Sequence, residues 1–208
     1  MIPHKVPELI SDQFPELIWR KDSDKLYLTF DDGPIPRVTE WVLDVLREKG
    51  VKATFFWVGD NVRKYPELAH KVVDDGHAFG NHTFNHVVGT KVFDDFYRNN
   101  ILLFEKQIDK EGLSDKYKKL FRPPHGRIRK SQIESLVNEY RIVMWDVLVA
   151  DYLKYLPAEL CLKLAIRNTN PGSVIVFHDS LKSEKLLKYV LPRYIDHFKS
   201  LGFSFDIL

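Results

Sequence analysis

The sequence predicts an α/β fold, a closed or nearly closed (β/α) barrel of about seven parallel strands forming a single domain. Three observations point to it. Apolar, strand-like runs alternate with amphipathic, helix-like runs from Leu26 to the end of the chain, the pattern of a parallel sheet with helices outside it. Seven such strands fall within 208 residues, which suits one core better than two lobes. Reactive side chains sit just after the strands, at Asp31, Asp32, His82, His86, Arg122, Asp151, His178 and Asp179, and the carboxyl ends of barrel strands share one face. An open doubly wound sheet is the alternative arrangement.

Residues 1–25 read as an N-terminal extension and residues 26–208 as the domain. Leu26–Phe30 (LYLTF) is a short apolar strand closed by the turn Asp31-Asp32-Gly33-Pro34. Thr39–Lys49 has apolar Trp41, Val42, Val45 and Leu46 at helical spacing, with Gly50 as a stop signal. Ala53–Val58 (ATFFWV) is aromatic and β-branched, a buried strand; Val62–Asp75 follows as a helix ended by Gly76. His77–His82 is a third strand interrupted by Gly80, and Phe93–Lys110 a long amphipathic helix. Leu120–Arg122 is a brief fourth strand, Lys130–Glu139 a helix and Arg141–Val147 (RIVMWDV) the fifth strand. Pro157–Asn168 is a helix opened by proline. Ser173–Phe177 (SVIVF), a helix over Lys185–Leu201 and a last strand at Phe203–Ile207 complete the chain.

The bulk composition narrows the function. Net charge is +2 with acids and bases interspersed, so no nucleic-acid-binding stripe is expected. Apolar runs such as VIVF at Val174 fall far short of the ~20 residues that span a bilayer. Residues 1–20 contain acids and prolines without a continuous apolar segment, unlike a secretory signal. The expectation is a cytoplasmic protein, or one of the cell envelope if an exporting segment has been removed. The single cysteine, Cys161, allows no internal disulfide and reads as a buried, inert thiol. Nothing indicates an oligomeric state.

Two features carry chemistry. Asp31 and Asp32 are adjacent like charges, unfavourable without a cation nearby. His82-Thr-Phe-Asn-His86 puts two imidazoles at i and i+4, which face the same way on one helical turn and can reach one ion. Two surface histidines are the plainer reading, and the Glu of H-E-x-x-H is missing. Two His and one Asp would leave coordination positions open, as in hydrolytic zinc and some iron sites. Gly33, two on from Asp31, excludes a D-x-D-x-T phosphatase.

The segments Thr29-Phe-Asp-Asp-Gly-Pro34, His82-Thr-Phe-Asn-His86, Arg122-Pro-Pro-His-Gly126, Asp151-Tyr152 and Val176-Phe-His178 together resemble the five ordered motifs of polysaccharide deacetylases, carbohydrate esterase family 4 with its NodB-like domain. The resemblance implies a distorted (β/α) barrel and metal-dependent removal of N-acetyl or O-acetyl groups from an amino-sugar polymer or oligomer, such as chitin oligosaccharide or peptidoglycan. Asp32, His82 and His86 would hold the metal, zinc above Co2+, Ni2+, Mn2+ or Fe2+. Asp31 would be the general base, His178 the general acid, and Arg122 and Asp151 their respective partners. The His125 backbone N–H would help hold the oxyanion. Tyr152, Val176 and Pro124 would contact substrate. Leu148 and Tyr152 depart from the usual D-x-x-D-W, Val176 from the usual Leu, and His125 from a frequent Tyr. Asp146 competes with Asp151. The alternatives are a cytoplasmic amidohydrolase acting on a non-sugar amide and a non-catalytic glycan-binding protein.

Overall fold

The computed structural model describes residues 4–208. Strand β1, Tyr27–Asp31, runs between β2, Thr54–Trp57, and β7, Val174–His178. Side chains alternate along β1 as a strand requires. Leu28 and Phe30 join the layer beneath helices α2 (Val38–Lys49) and α8 (Glu184–Ser200), with Val42, Leu46, Leu187 and Leu191. Phe30 stacks on Phe55 at 5.0 Å and on Phe177 at 5.7 Å. Tyr27 packs on the other face with Phe56, Leu120, Val143 and Val174. Thr29 and Asp31 share its parity, so both enter the barrel interior, where Arg122 meets them.

Seven parallel strands run in the order β5-β4-β3-β2-β1-β7-β6, with β3 at Ala78–Asn81 and β4 at Leu120–Phe121. The strand expected at Arg141–Val147 divides into β5, Arg141–Ile142, and β6, Val147–Leu148, which form the two opposite edges of the sheet. Ile142 and Val147 are five residues apart, a reach of at most ~18 Å. The sheet must therefore curl until its edges nearly meet, and one interrupted strand closes the barrel. The interruption has a cause. After Phe121 comes Arg122-Pro123-Pro124, and prolines have no N–H to continue a ladder. The stranded carbonyls of Val143 and Met144 accept hydrogen bonds from the Arg122 guanidinium instead, at 3.2 and 2.9 Å.

Other boundaries shift for equally local reasons. The helix expected at Val62–Asp75 is two helices, α3 (Gly59–Lys64) and α4 (Pro66–Asp74). Pro66 pushes Tyr65 out of helical geometry, to φ −135° and ψ 56°, and then starts α4 itself. No strand forms at Phe203–Ile207, only a bridge between Leu26 and Phe205. The β7 edge of β1 is paired from Tyr27 and the β2 edge from Thr29, so the tail meets β1 only at its very start. The segment at residues 4–20 makes bridges from Lys5 to Val147 and from Ile18 to Val143, lining the gap between β5 and β6. Helices α5 (Asp94–Lys110), α6 (Lys130–Leu136) and α7 (Ala158–Asn168) cover the outside with the short α1 (Glu8–Ser11). Cys161 is buried and free, and burial pushes its thiol up to about 12.

Candidate active site

Asp31 ends β1 and points inward, so Asp32 should point outward. It does not, because Asp32 adopts φ 82°, and this left-handed turn brings its carboxylate to the same side. Such a conformation costs a non-glycine residue roughly 1–3 kcal/mol. Asn61 holds it by donating from Nδ2 to the Asp32 carbonyl at 2.8 Å. Gly33 follows because a Cβ there would overlap the carboxyl of Asp179.

His82 and His86 converge by a route other than a helical turn. His82 follows β3 in a loop, and both Thr83 (φ 62°) and His86 (φ 56°) are left-handed. The loop is pinned from several directions. Asn81 Oδ1 accepts from the Thr83 N–H, Thr83 Oγ1 from the Val87 N–H, and Asn100 on α5 exchanges bonds with Asn85 and Phe84. His82 is buried, and its Nδ1 lies 2.8 Å from the Arg122 carbonyl. Only Nδ1–H can make that bond, so Nε2 carries the lone pair turned to the site. Burial lowers His82 to about 4 against the opposing charge of Asp31, keeping the ring neutral. Its Nε2 lies 3.9 Å from Asp32 Oδ1, and His86 Nε2 lies 3.2 Å from the same oxygen. One donor atom from each of the three residues lies within 4.8 Å of the others. A neutral imidazole, a second imidazole and a carboxylate at this spacing suit a divalent cation. Burial would raise the Asp32 carboxyl, but the His86 hydrogen bond and the charges of His178, His82 and His86 hold it well below the usual range.

Arg122 is wholly buried. Nη1 donates to Asp31 Oδ1 at 2.6 Å and to Thr29 Oγ1 at 2.7 Å, while its Cζ lies 4.1 Å from the Phe56 ring centre. With the two carbonyls already described, four of the five guanidinium N–H groups are engaged, and a paired, hydrogen-bonded charge is the kind that burial tolerates. One oxygen of Asp31 is thereby committed. The other, Oδ2, faces His82 Nε2 at 3.9 Å.

His178 stands opposite Asp31 in the register of β1 and β7. Buried Asp151 grips it twice, Oδ1 taking Nδ1 at 2.8 Å and Oδ2 the backbone N–H at 2.9 Å. Burial alone would lower His178, but the charge and hydrogen bond of Asp151, with Asp32 and Asp31 behind, raise it to about 9. The imidazolium form is therefore favoured at neutral pH.

Asp31, Asp32, His82, His86 and His178 line one cavity of about 610 Å³ at the carboxyl ends of the strands, together with His125, Leu148, Tyr152 and Val176. The Tyr152 ring meets the His178 ring edge-on at 5.0 Å. His125 is exposed with φ 58°, and its ring lies 4.9 Å from that of His86. Pro124 is buried beside it and lies outside the cavity lining. Asp146 accepts from Ser173 Oγ and does not line the cavity, while His178 is paired with Asp151. Sequence reasoning missed Lys182, whose Nζ is 3.5 Å from Asp32 Oδ2, since a lone exposed lysine leaves no signal. It missed Thr29 as a partner of Arg122, although the quoted motif begins there. It placed Asp179 after the sixth strand without assigning it a role, yet this acid is wholly buried with Oδ2 on Thr39 Oγ1 and Oδ1 unpartnered. Burial raises it well above the carboxylate range.

A family model described as polysaccharide deacetylase matches residues 20–143. A peptidoglycan-N-acetylglucosamine deacetylase of Bacillus cereus is 38% identical over 154 residues, 74% of this chain and 55% of that protein. The peptidoglycan-N-acetylglucosamine deacetylase PgdA of Listeria monocytogenes is 32% identical over 196 residues, 94% of this chain and 40% of that protein. The chain thus spans about half the length of these relatives. The crystal structure of the Bc1960 peptidoglycan N-acetylglucosamine deacetylase superposes with a TM-score of 0.84 at 32% identity, covering 97% of this chain and 94% of that one.

Proposed function

Because the chain belongs to the polysaccharide deacetylase family, we propose that it is a metal-dependent hydrolase removing acetyl groups from an acetamido-sugar polymer or oligomer such as peptidoglycan or chitin oligosaccharide. One observation carries the reading. A three-residue ligand cluster and two separately partnered groups, Asp31 on Arg122 and His178 on Asp151, face a single cavity. A glycan-binding module has no need of a charged imidazole set opposite a carboxylate.

Asp32, His82 and His86 would hold the cation, and zinc is our assignment from the two imidazoles and one carboxylate. When bound, it supplies Lewis-acid polarisation of the acetyl carbonyl and lowers the pKa of water. Asp31 takes a proton from the attacking water at Oδ2, the oxygen that Arg122 leaves free. Arg122 fixes the orientation of that carboxylate and balances its charge. The His125 N–H has no acceptor among the described residues, and it donates to the oxyanion that develops on the acetyl carbonyl. His178, held charged by Asp151, gives its Nε2 proton to the departing amine, which is a poor leaving group unless protonated. Tyr152, Val176 and Leu148 shape the wall beside it.

Metal analysis coupled to acetate release from chitin oligomers, peptidoglycan fragments and acetylated xylan tests the assignment. Asp31→Asn should keep metal near wild type and lose most turnover; it also leaves Arg122 without its counter-charge, so stability should fall by about 3–5 kcal/mol. His82→Ala should lose both metal and turnover. Metal lost from Asp31→Asn but kept by Asp32→Asn would reverse the two roles.

A further inference from the structure

Lys91 lines two depressions at once, the catalytic cavity and a neighbouring one of about 410 Å³ walled by Val92, Phe93, Phe96 and Arg129. Phe93 is 88% exposed and Phe96 54% exposed. They are three residues apart at the start of α5, and both line the same depression. Phe93 also occupies the N-cap of α5 and makes no capping bond, at a position where Ser, Thr, Asp or Asn would stabilise the helix. Folding gains neither burial nor a cap from this phenyl ring.

The segment that carries it is nevertheless braced. Arg129 donates to the Val92 and Thr90 carbonyls and to Asp94; Gln132 donates to the Gly89 carbonyl and Asp94, and Ser131 to Asp94. A rigid backbone presenting exposed aromatic rings loses little freedom when a ligand settles on it. Aromatic faces carry partial negative charge, which suits the polarised C–H face of a pyranose ring. The Lys91 ammonium, between the two depressions, offers three donors to hydroxyls or to a carboxylate substituent.

We propose that Phe93, Phe96 and Lys91 form a second sugar subsite. It seats a residue of the same glycan beyond the acetamido sugar being hydrolysed, and it rests on the deacetylase reading above. Calorimetric titration of the zinc-loaded full chain with N-acetylglucosamine oligomers, beside deacetylation kinetics on the same oligomers, tests it. The wild type should bind the pentamer more tightly than the dimer. Phe93→Ser supplies a better cap, so its melting temperature should hold or rise, whereas a merely structural phenylalanine would show a fall. Its pentamer affinity should drop about tenfold and its pentamer KM rise to match, with dimer binding and kcat unchanged; Phe96→Ala should behave alike in binding. Unchanged pentamer affinity in the double variant overturns the subsite, as does a change confined to self-association in the ultracentrifuge. Length-dependent binding without acetate release from any oligomer would instead sink the deacetylase reading and leave the subsite standing.

Discussion

Asp31 and Asp32 are neighbours that a strand would send to opposite faces, and a single left-handed φ turns them to one. What separates them is company: Arg122 takes an oxygen of Asp31, while His86 and Lys182 lie against Asp32. The same reasoning governs His178. Its ordinary value is 6.5, and Asp151 with the two nearer aspartates lifts it to about 9. Because the folded value lies above the unfolded one, its stabilising contribution is complete below pH 6.5 and fades as pH rises through about 9. Activity that needs the imidazolium should have an alkaline limb in that window, lowered toward neutrality to the extent that a bound cation offsets the charge of Asp32. Asp151→Asn removes the largest raising contribution, so the limb in kcat against pH should move down by at least about one unit. A limb that stays in place would mean that some other group sets it.

At the scale of elements, the carboxyl-end loops contain left-handed non-glycine residues at Asp32, Thr83, His86, His125 and Ala150. Strain gathered in this way persists only where surrounding bonds over-determine it. Sequence pattern made the strands legible because Leu26–Phe30 and Ser173–Phe177 are buried apolar runs, and it showed where reactive residues follow them. The path of the His loop was not legible. Spacing of i and i+4 suggests a helical turn, while the actual convergence depends on Asn81, Thr83 and, on a distant helix, Asn100. Nor was the split of the strand at Arg141–Val147, which comes from prolines some twenty residues earlier. At Pro66 the expected helix over Val62–Asp75 followed apolar periodicity through a proline, and the proline rule outweighed it. Asn100→Ala tests the brace directly. It strips partners from the Asn85 N–H and Asn85 Oδ1, so stability should fall by about 1–3 kcal/mol. With His86 less restrained, zinc affinity should weaken while the affinity of a His82→Ala background, already without a full ligand set, should not fall further.

Across the whole molecule, the barrel is a device for bringing distant residues together. Asp32 lies beyond β1, and His82 and His86 lie beyond β3, some fifty residues later. His178 comes from a further stretch of chain and meets the same cavity, with Arg122 and Asp151 buried behind Asp31 and His178, because one strand, interrupted at residues 143–146, ties the two sheet edges. An unfolded chain cannot keep such ligands within reach of one ion, so the cation should bind the folded state almost exclusively. Binding of that kind adds stability by mass action, about 4 kcal/mol when free metal is a thousandfold above its Kd. For a domain of 208 residues this corresponds to a rise in melting temperature of about 8–16 °C. Calorimetric scans with zinc and after chelation should differ by that amount in the wild type and hardly at all in His82→Ala. The Asp31→Asn variant separates ligand from base on the same instrument. It should melt lower than wild type because Arg122 is left uncompensated, yet retain most of the zinc-dependent increment. Loss of the increment in Asp31→Asn would place Asp31 among the ligands.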